Sequence, residues 1–131
     1  MNGTLNFTIQ KIDKKKHFSL EVDFESGGKS WFFPNDIPFN KNSKKLAIES
    51  SLKDEYLKNY LLDYHSENQD LGNNFKTCIW DKGFFCVETI NKSKIIFDIE
   101  GKRVNGRFIL LLPSWGKLTK KRLWICYEIP R

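Results

Sequence analysis

Residues 17–24 (HFSLEVDF) alternate without a break, with Phe18, Leu20, Val22 and Phe24 in one register and His17, Ser19, Glu21 and Asp23 in the other. Successive side chains of an extended chain point to opposite faces. The run is therefore a strand with one apolar and one wet face. Residues 5–12 (LNFTIQKI) repeat the pattern less regularly through Leu5, Phe7, Ile9 and Ile12. Ser26-Gly27-Gly28 supplies a turn, and Lys29 to Phe33 resumes a strand that Pro34 stops, since proline has no N–H to give to a ladder. Together these segments read as a hairpin.

Downstream, residues 34–45 form a polar loop, and Leu46 to Ile48 a short strand. Ser51 with Asp54 resembles a helix-capping pair. Leu52, Tyr56, Leu57, Tyr60, Leu61 and Tyr64 then share one helical stripe, so a helix is expected over 52–64. Residues 65–74 read as an Asn- and Gly-rich loop. Further strands are expected at 75–81, 84–90, 94–100, 107–112 and 122–128. Asp81-Lys82-Gly83, Asn91-Lys92-Ser93, Asn105-Gly106 and Ser114-Trp115-Gly116 offer turn chemistry between them. Seven or eight short strands with frequent reversals suggest a mostly β, single-domain antiparallel β-barrel with one short helix, spanning residues 1–131.

Composition supports that class. Aromatic residues make up 15% of the 131, with eleven Phe, four Trp and four Tyr, and such side chains favour pleated, half-buried surfaces. Phe84, Phe85, Phe97, Phe108 and Trp124 would fill the barrel. The longest apolar run, Phe108 to Pro113, is far too short for a membrane span, and MNGTLNFTIQ has no signal-peptide core, so a cytoplasmic location is expected. Cys78, Cys86 and Cys126 sit among apolar neighbours and read as reduced thiols, not as a disulfide framework. A net charge of +6 favours an anionic partner.

Several stretches, taken in order, resemble a known family. FTIQKID (7–13), HFSLEVDFESGGKSWFFP (17–34), KKLAI (44–48), IWDKG (79–83), RVNGRFILL (103–111) and LWI (123–125) are similar to the 3′-phosphoesterase domain of bacterial DNA ligase D and its stand-alone relatives. That pattern runs F-V-I-Q-K-H-D, L-H-Y-D-F-R-L-E, K-S-W-A-V-P, R-L-A-V, W-D-R-G, L-K-G-R-W-x-L and W-L-L-I-K. The resemblance implies a β-barrel with a polar groove. It also implies a divalent cation, manganese by preference, and removal of 3′-phosphates or 3′-ribonucleotides during end repair. Such chemistry needs oxygen and imidazole ligands on a metal, and a cation to bind the phosphate.

Carried over position by position, the implied site is largely replaced. The first metal histidine falls on Ile12, the second on His17, which is kept, the aspartate on Ser19, and the phosphate-binding arginine on Glu21. Beyond a one-residue gap a further histidine meets Ser51 or Leu52, and a tyrosine falls on Tyr56; the glycine-rich loop becomes SENQDLGNN (66–74). Isoleucine cannot coordinate a metal, and one imidazole does not hold manganese usefully. Glutamate at position 21 repels a phosphate. His17, Ser19, Glu21 and Tyr56 are thus expected to be the relics of a groove with no metal and no cofactor.

Three readings of function follow. One is a non-catalytic module of nucleic-acid end processing that binds nucleic acid through Lys14, Lys15, Lys16, Lys44, Lys45, Arg103, Arg107, Lys120 and Lys121, or that binds a repair or other protein partner. A second is a divergent phosphoesterase built on His17, Tyr56 and a cluster at Asp63, His65 and Glu67, and a third is a purely protein-binding domain that keeps the barrel for stability. Trp115 could add base stacking to the first, and the 52–64 stripe could dock a protein.

Overall fold

The computed structural model describes residues 4–12, 17–37, 43–50, 77–117 and 122–131. Eight strands lie among them: β1 Thr4–Ile12, β2 His17–Phe24, β3 Gly27–Phe33, β4 Lys45–Glu49, β5 Thr77–Ile90, β6 Lys94–Gly101, β7 Asn105–Leu111 and β8 Leu123–Ile129. They close into a barrel in the order β1-β2-β3-β4-β8-β7-β6-β5, with every neighbouring pair antiparallel. Closure removes the free edges that an open sheet would leave. The seam between β3 and β4 is short, pairing Trp31 with Glu49 and Phe32 with Ile48, with one further bond from the Ser50 N–H to the Ser30 carbonyl at 3.0 Å.

Alternation sends one residue of each neighbouring pair inward. Phe7, Ile9, Phe18, Leu20, Val22, Trp31, Phe33, Ala47, Phe85, Phe97, Phe108 and Trp124 are all buried in a single cluster. Phe85 stacks on Phe97 at 4.3 Å between ring centres, and Trp31 meets Trp124 edge-on at 6.0 Å. Each buried aromatic contributes about 1.5–3 kcal/mol of transfer free energy, so the aromatic excess supports this interior together with the aliphatic residues beside it. No helix among the described residues is long and apolar enough to cross a membrane.

The architecture agrees with the expected barrel, but four local expectations change. Phe84 does not help to fill the barrel: alternation turns it away from the interior that its neighbour Phe85 enters, and it is 53% exposed. Asp81-Lys82-Gly83 is not a turn, because β5 runs unbroken from Thr77 to Ile90. Gly83 lies between Phe7 on β1 and Gly101 on β6, and a Cβ there would strike the Glu100 carbonyl oxygen. Glycine at that position serves close strand approach. The reversal assigned to Asn105-Gly106 occurs just before them, at 102–104, and both residues belong to β7. Ser114–Lys117 is a one-turn helix, α1, in place of a simple turn. The helix expected at 52–64 lies outside the described residues.

Candidate functional site

The described positions that the family resemblance singles out, Ile12, His17, Ser19 and Glu21, lie together on the outer face of β1 and β2. Ile12 is directly opposite His17; Gln10 is opposite Ser19, which is opposite Phe32; Thr8 is opposite Glu21, which is opposite Ser30. Directly paired residues project from the same face, so Ile12, His17, Ser19 and Phe32 are neighbours. None of the four belongs to the interior cluster. Yet Ile12 is 0%, Ser19 1% and His17 2% exposed, and Phe32 is fully buried. The His17 and Phe32 rings lie 5.7 Å apart, tilted by 34°.

The face expected to be wet is therefore wet only towards one end. Glu21 is half-buried and Asp23 exposed, whereas His17 and Ser19 are closed off from solvent, with Ile12 and Phe32 among their neighbours. Ser19 Oγ has no hydrogen-bond partner among the described residues. A metal site needs several donors converging on one point, and among the described residues no three His, Cys, Asp or Glu side chains gather in that way. Ile12 offers no donor, Ser19 a weak one, and His17 alone supplies an imidazole. By themselves Ile12, His17 and Ser19 do not supply the donor set of a manganese centre. Tyr56, Asp63, His65 and Glu67 lie outside the described residues.

Asp81 organises the end of the barrel where β6 turns into β7. It is 4% exposed. Its Oδ1 accepts the backbone N–H groups of Lys82 and Lys102, both at 2.9 Å, and its Oδ2 those of Arg103 at 3.0 Å and Val104 at 2.9 Å. One carboxylate thus holds three consecutive amides of a tight turn, which is strong because each bond is charge-assisted. Trp80, just before it, is the residue that the β1–β5 register skips: Ile9 pairs with Asp81 and Gln10 with Ile79. Such a bulge re-aims a side chain. Here it sends the indole against Phe18, edge-on at 5.3 Å, with the Arg103 guanidinium 5.0 Å from the indole centre.

The basic residues divide by environment. Arg107 makes a two-pronged pair with Asp98, 3.1 Å on each prong, and approaches Glu88 at 3.6 Å; Arg131 reaches the same Asp98 at 3.4 Å. The Arg107 hydrogen bonds hold the Asp98 carboxyl below the usual carboxylate range, and the same contact raises Arg107. Lys44 lies 4.9 Å over the Tyr127 ring. Lys45 is half-buried opposite Cys126. Lys102 and Arg103 are exposed at the turn that Asp81 holds. Lys14, Lys15, Lys16, Lys120 and Lys121 lie outside the described residues.

The thiols are free, with Cys78 exposed and Cys126 buried, and burial pushes the Cys126 thiol far up. Sequence reasoning missed Asp81 and Trp80 as a unit. Trp-Asp-Lys-Gly looks like turn chemistry, and only the register with β1 and β6 shows the carboxylate reaching across the sheet. Comparison with curated proteins gave no match in sequence. A family model described as the DNA Ligase D 3′-phosphoesterase domain matches residues 10–112. With the closed barrel and most of its length accounted for by that match, the chain belongs to the DNA ligase D 3′-phosphoesterase domain family.

Proposed function

We propose that this chain is a non-catalytic member of its family, a 3′-phosphoesterase-like module that binds nucleic acid during end processing without cutting it. The observation that carries this reading is Ile12, fully buried beside His17 where the resemblance expects a metal-ligating histidine. A branched aliphatic side chain both removes a ligand and fills the space a hydrated cation would need. Ser19 repeats the argument at the carboxylate position, and Glu21 places negative charge where a phosphate would sit. Binding in place of hydrolysis is supported by the excess of cations and by Lys102 and Arg103 standing exposed on a rigid turn.

The test has two arms. Millimolar manganese is expected to leave the melting temperature unchanged, since only a ligand bound to the native state raises it. No inorganic phosphate is expected from a 3′-phosphorylated oligonucleotide. A clear manganese-dependent rise together with phosphate release would restore the phosphoesterase reading. Binding to a labelled oligonucleotide is expected to weaken steeply with salt; an affinity indifferent to ionic strength would point to a protein partner instead.

A further inference from the structure

At the barrel end where β1 finishes and β2 begins, cations and aromatic rings form a continuous chain. Lys11 is opposite Phe18 on one side and Cys78 on the other, with its ammonium 5.9 Å from the Phe18 ring centre. Phe18 meets Trp80 edge-on, and Trp80 underlies the Arg103 guanidinium. Lys102 adjoins Arg103, and Lys82 is exposed on β5. Among the described residues, no ion pair joins a carboxylate to Lys11, Lys82, Lys102 or Arg103. The nearest buried carboxylate, Asp81, is already saturated by four backbone N–H groups. Arg107, by contrast, is held by Asp98 and Glu88.

We propose that this rim is the landing site for single-stranded nucleic acid, with Arg103 as its central contact. The inference rests on the reading of the chain as a nucleic-acid-binding module and says where on the barrel that binding occurs. Asp81 fixes the backbone at 102–104, so Arg103 starts from a constrained position and loses less freedom on binding. Trp80 supports one face of the guanidinium, leaving its other face for a base and its N–H edge for a phosphate. Lys102 and Lys82 add sequence-independent attraction to neighbouring phosphates. Planar stacking joined to unpaired positive charge is the chemistry by which single strands are held without sequence readout. The face of Glu21 and Asp23, which Lys82 borders through Thr8, carries no such stack of ring and guanidinium.

The experiment measures binding of a fluorescein-labelled oligothymidylate to the full chain at several salt concentrations. Reversing charge at the rim, with Lys102→Glu and Arg103→Glu together, is expected to weaken binding at least about tenfold at low salt. It should also flatten the log–log salt slope by roughly 0.7 for each phosphate that the protein no longer neutralises. The control pair, Lys92→Glu with Lys117→Glu, makes the same net charge change at the opposite end of the barrel and is expected to cost far less. Arg103→Lys keeps the charge but loses the planar stack, and should fall between parent and reversal. The oligonucleotide should also slow maleimide labelling of Cys78, which adjoins Lys11.

A control pair as damaging as the rim pair, or a Cys78 labelling rate unaffected by bound oligonucleotide, would overturn the assignment of the site while leaving the functional reading intact. No binding by the parent chain at any salt concentration would remove both.

Discussion

Replacing Asp81 by alanine should be among the most damaging single changes in the barrel, although the residue touches no proposed ligand. Four backbone N–H groups lose their acceptor together. Val104 is buried, so its amide finds no water, at a cost of about 1–3 kcal/mol. The amides of Lys82, Lys102 and Arg103 belong to exposed residues and rehydrate in part, each losing a fraction of that amount. The total is about 3–5 kcal/mol, or a fall in melting temperature of roughly 9–15 °C at about 3 °C per kcal/mol for a chain of this size. Asp81→Asn separates the two oxygens. Its remaining carbonyl can still serve two of the amides, while its NH2 faces the other two, so about half the loss is expected. Circular dichroism melts with urea titrations at constant slope would measure both. An alanine variant melting within about 2 °C of the parent would refute the view that this carboxylate holds the 102–104 turn.

Three further outcomes are expected. Asp98 is held below the ordinary carboxylate range by Arg107, so it contributes stability that is present above about pH 4 and lost as pH falls through its folded value. Asp98→Asn should therefore reduce the difference in urea midpoint between pH 6 and pH 2, and an unchanged difference would contradict that coupling. In native protein Ellman's reagent should titrate Cys78 first and reach Cys126 only on unfolding, because Cys126 is buried and its thiol stays protonated; fast loss of all the thiols would contradict the burial. Rebuilding the implied site with Ile12→His, Ser19→Asp and Glu21→Arg should lower the melting temperature without yielding 3′-phosphate release, since it places an imidazole and a carboxylate in a space now closed to water. Release of phosphate by that variant would show that the remaining architecture is still competent.

What could be read from the chain and what could not follow from the range of the interactions. The alternation at 17–24 is a property of adjacent residues, and β2 spans that segment, His17–Phe24. Turn residues next to each other, as at Asn91, also place the reversal before β6 correctly. The Trp80–Asp81 unit was not legible because the turn amides that Asp81 holds are 21 to 23 residues away, across β6, and Phe18 against Trp80 belongs to β2. Likewise, the replaced positions Ile12, Ser19 and Glu21 were visible in the sequence, but the burial of Ile12 and Ser19 was not. Alternation assigns a residue to a face without saying whether that face is open to water, and here Phe32, two strands from Ile12, is buried on the outside of the barrel with them.

The contact of β3 with β4, through Trp31 with Glu49, Phe32 with Ile48 and the Ser50 N–H with the Ser30 carbonyl, is the shortest ladder among the described residues. A ring fails at its weakest joint, so transient opening should start there and expose amides on both sides long before the β5–β6 or β2–β3 walls yield. For an instant the molecule would be a curled ribbon with two bare margins, able to stitch itself to another copy in the same state. Any change that shortens β4 further should therefore be felt first as self-association, and only afterwards as loss of the folded form.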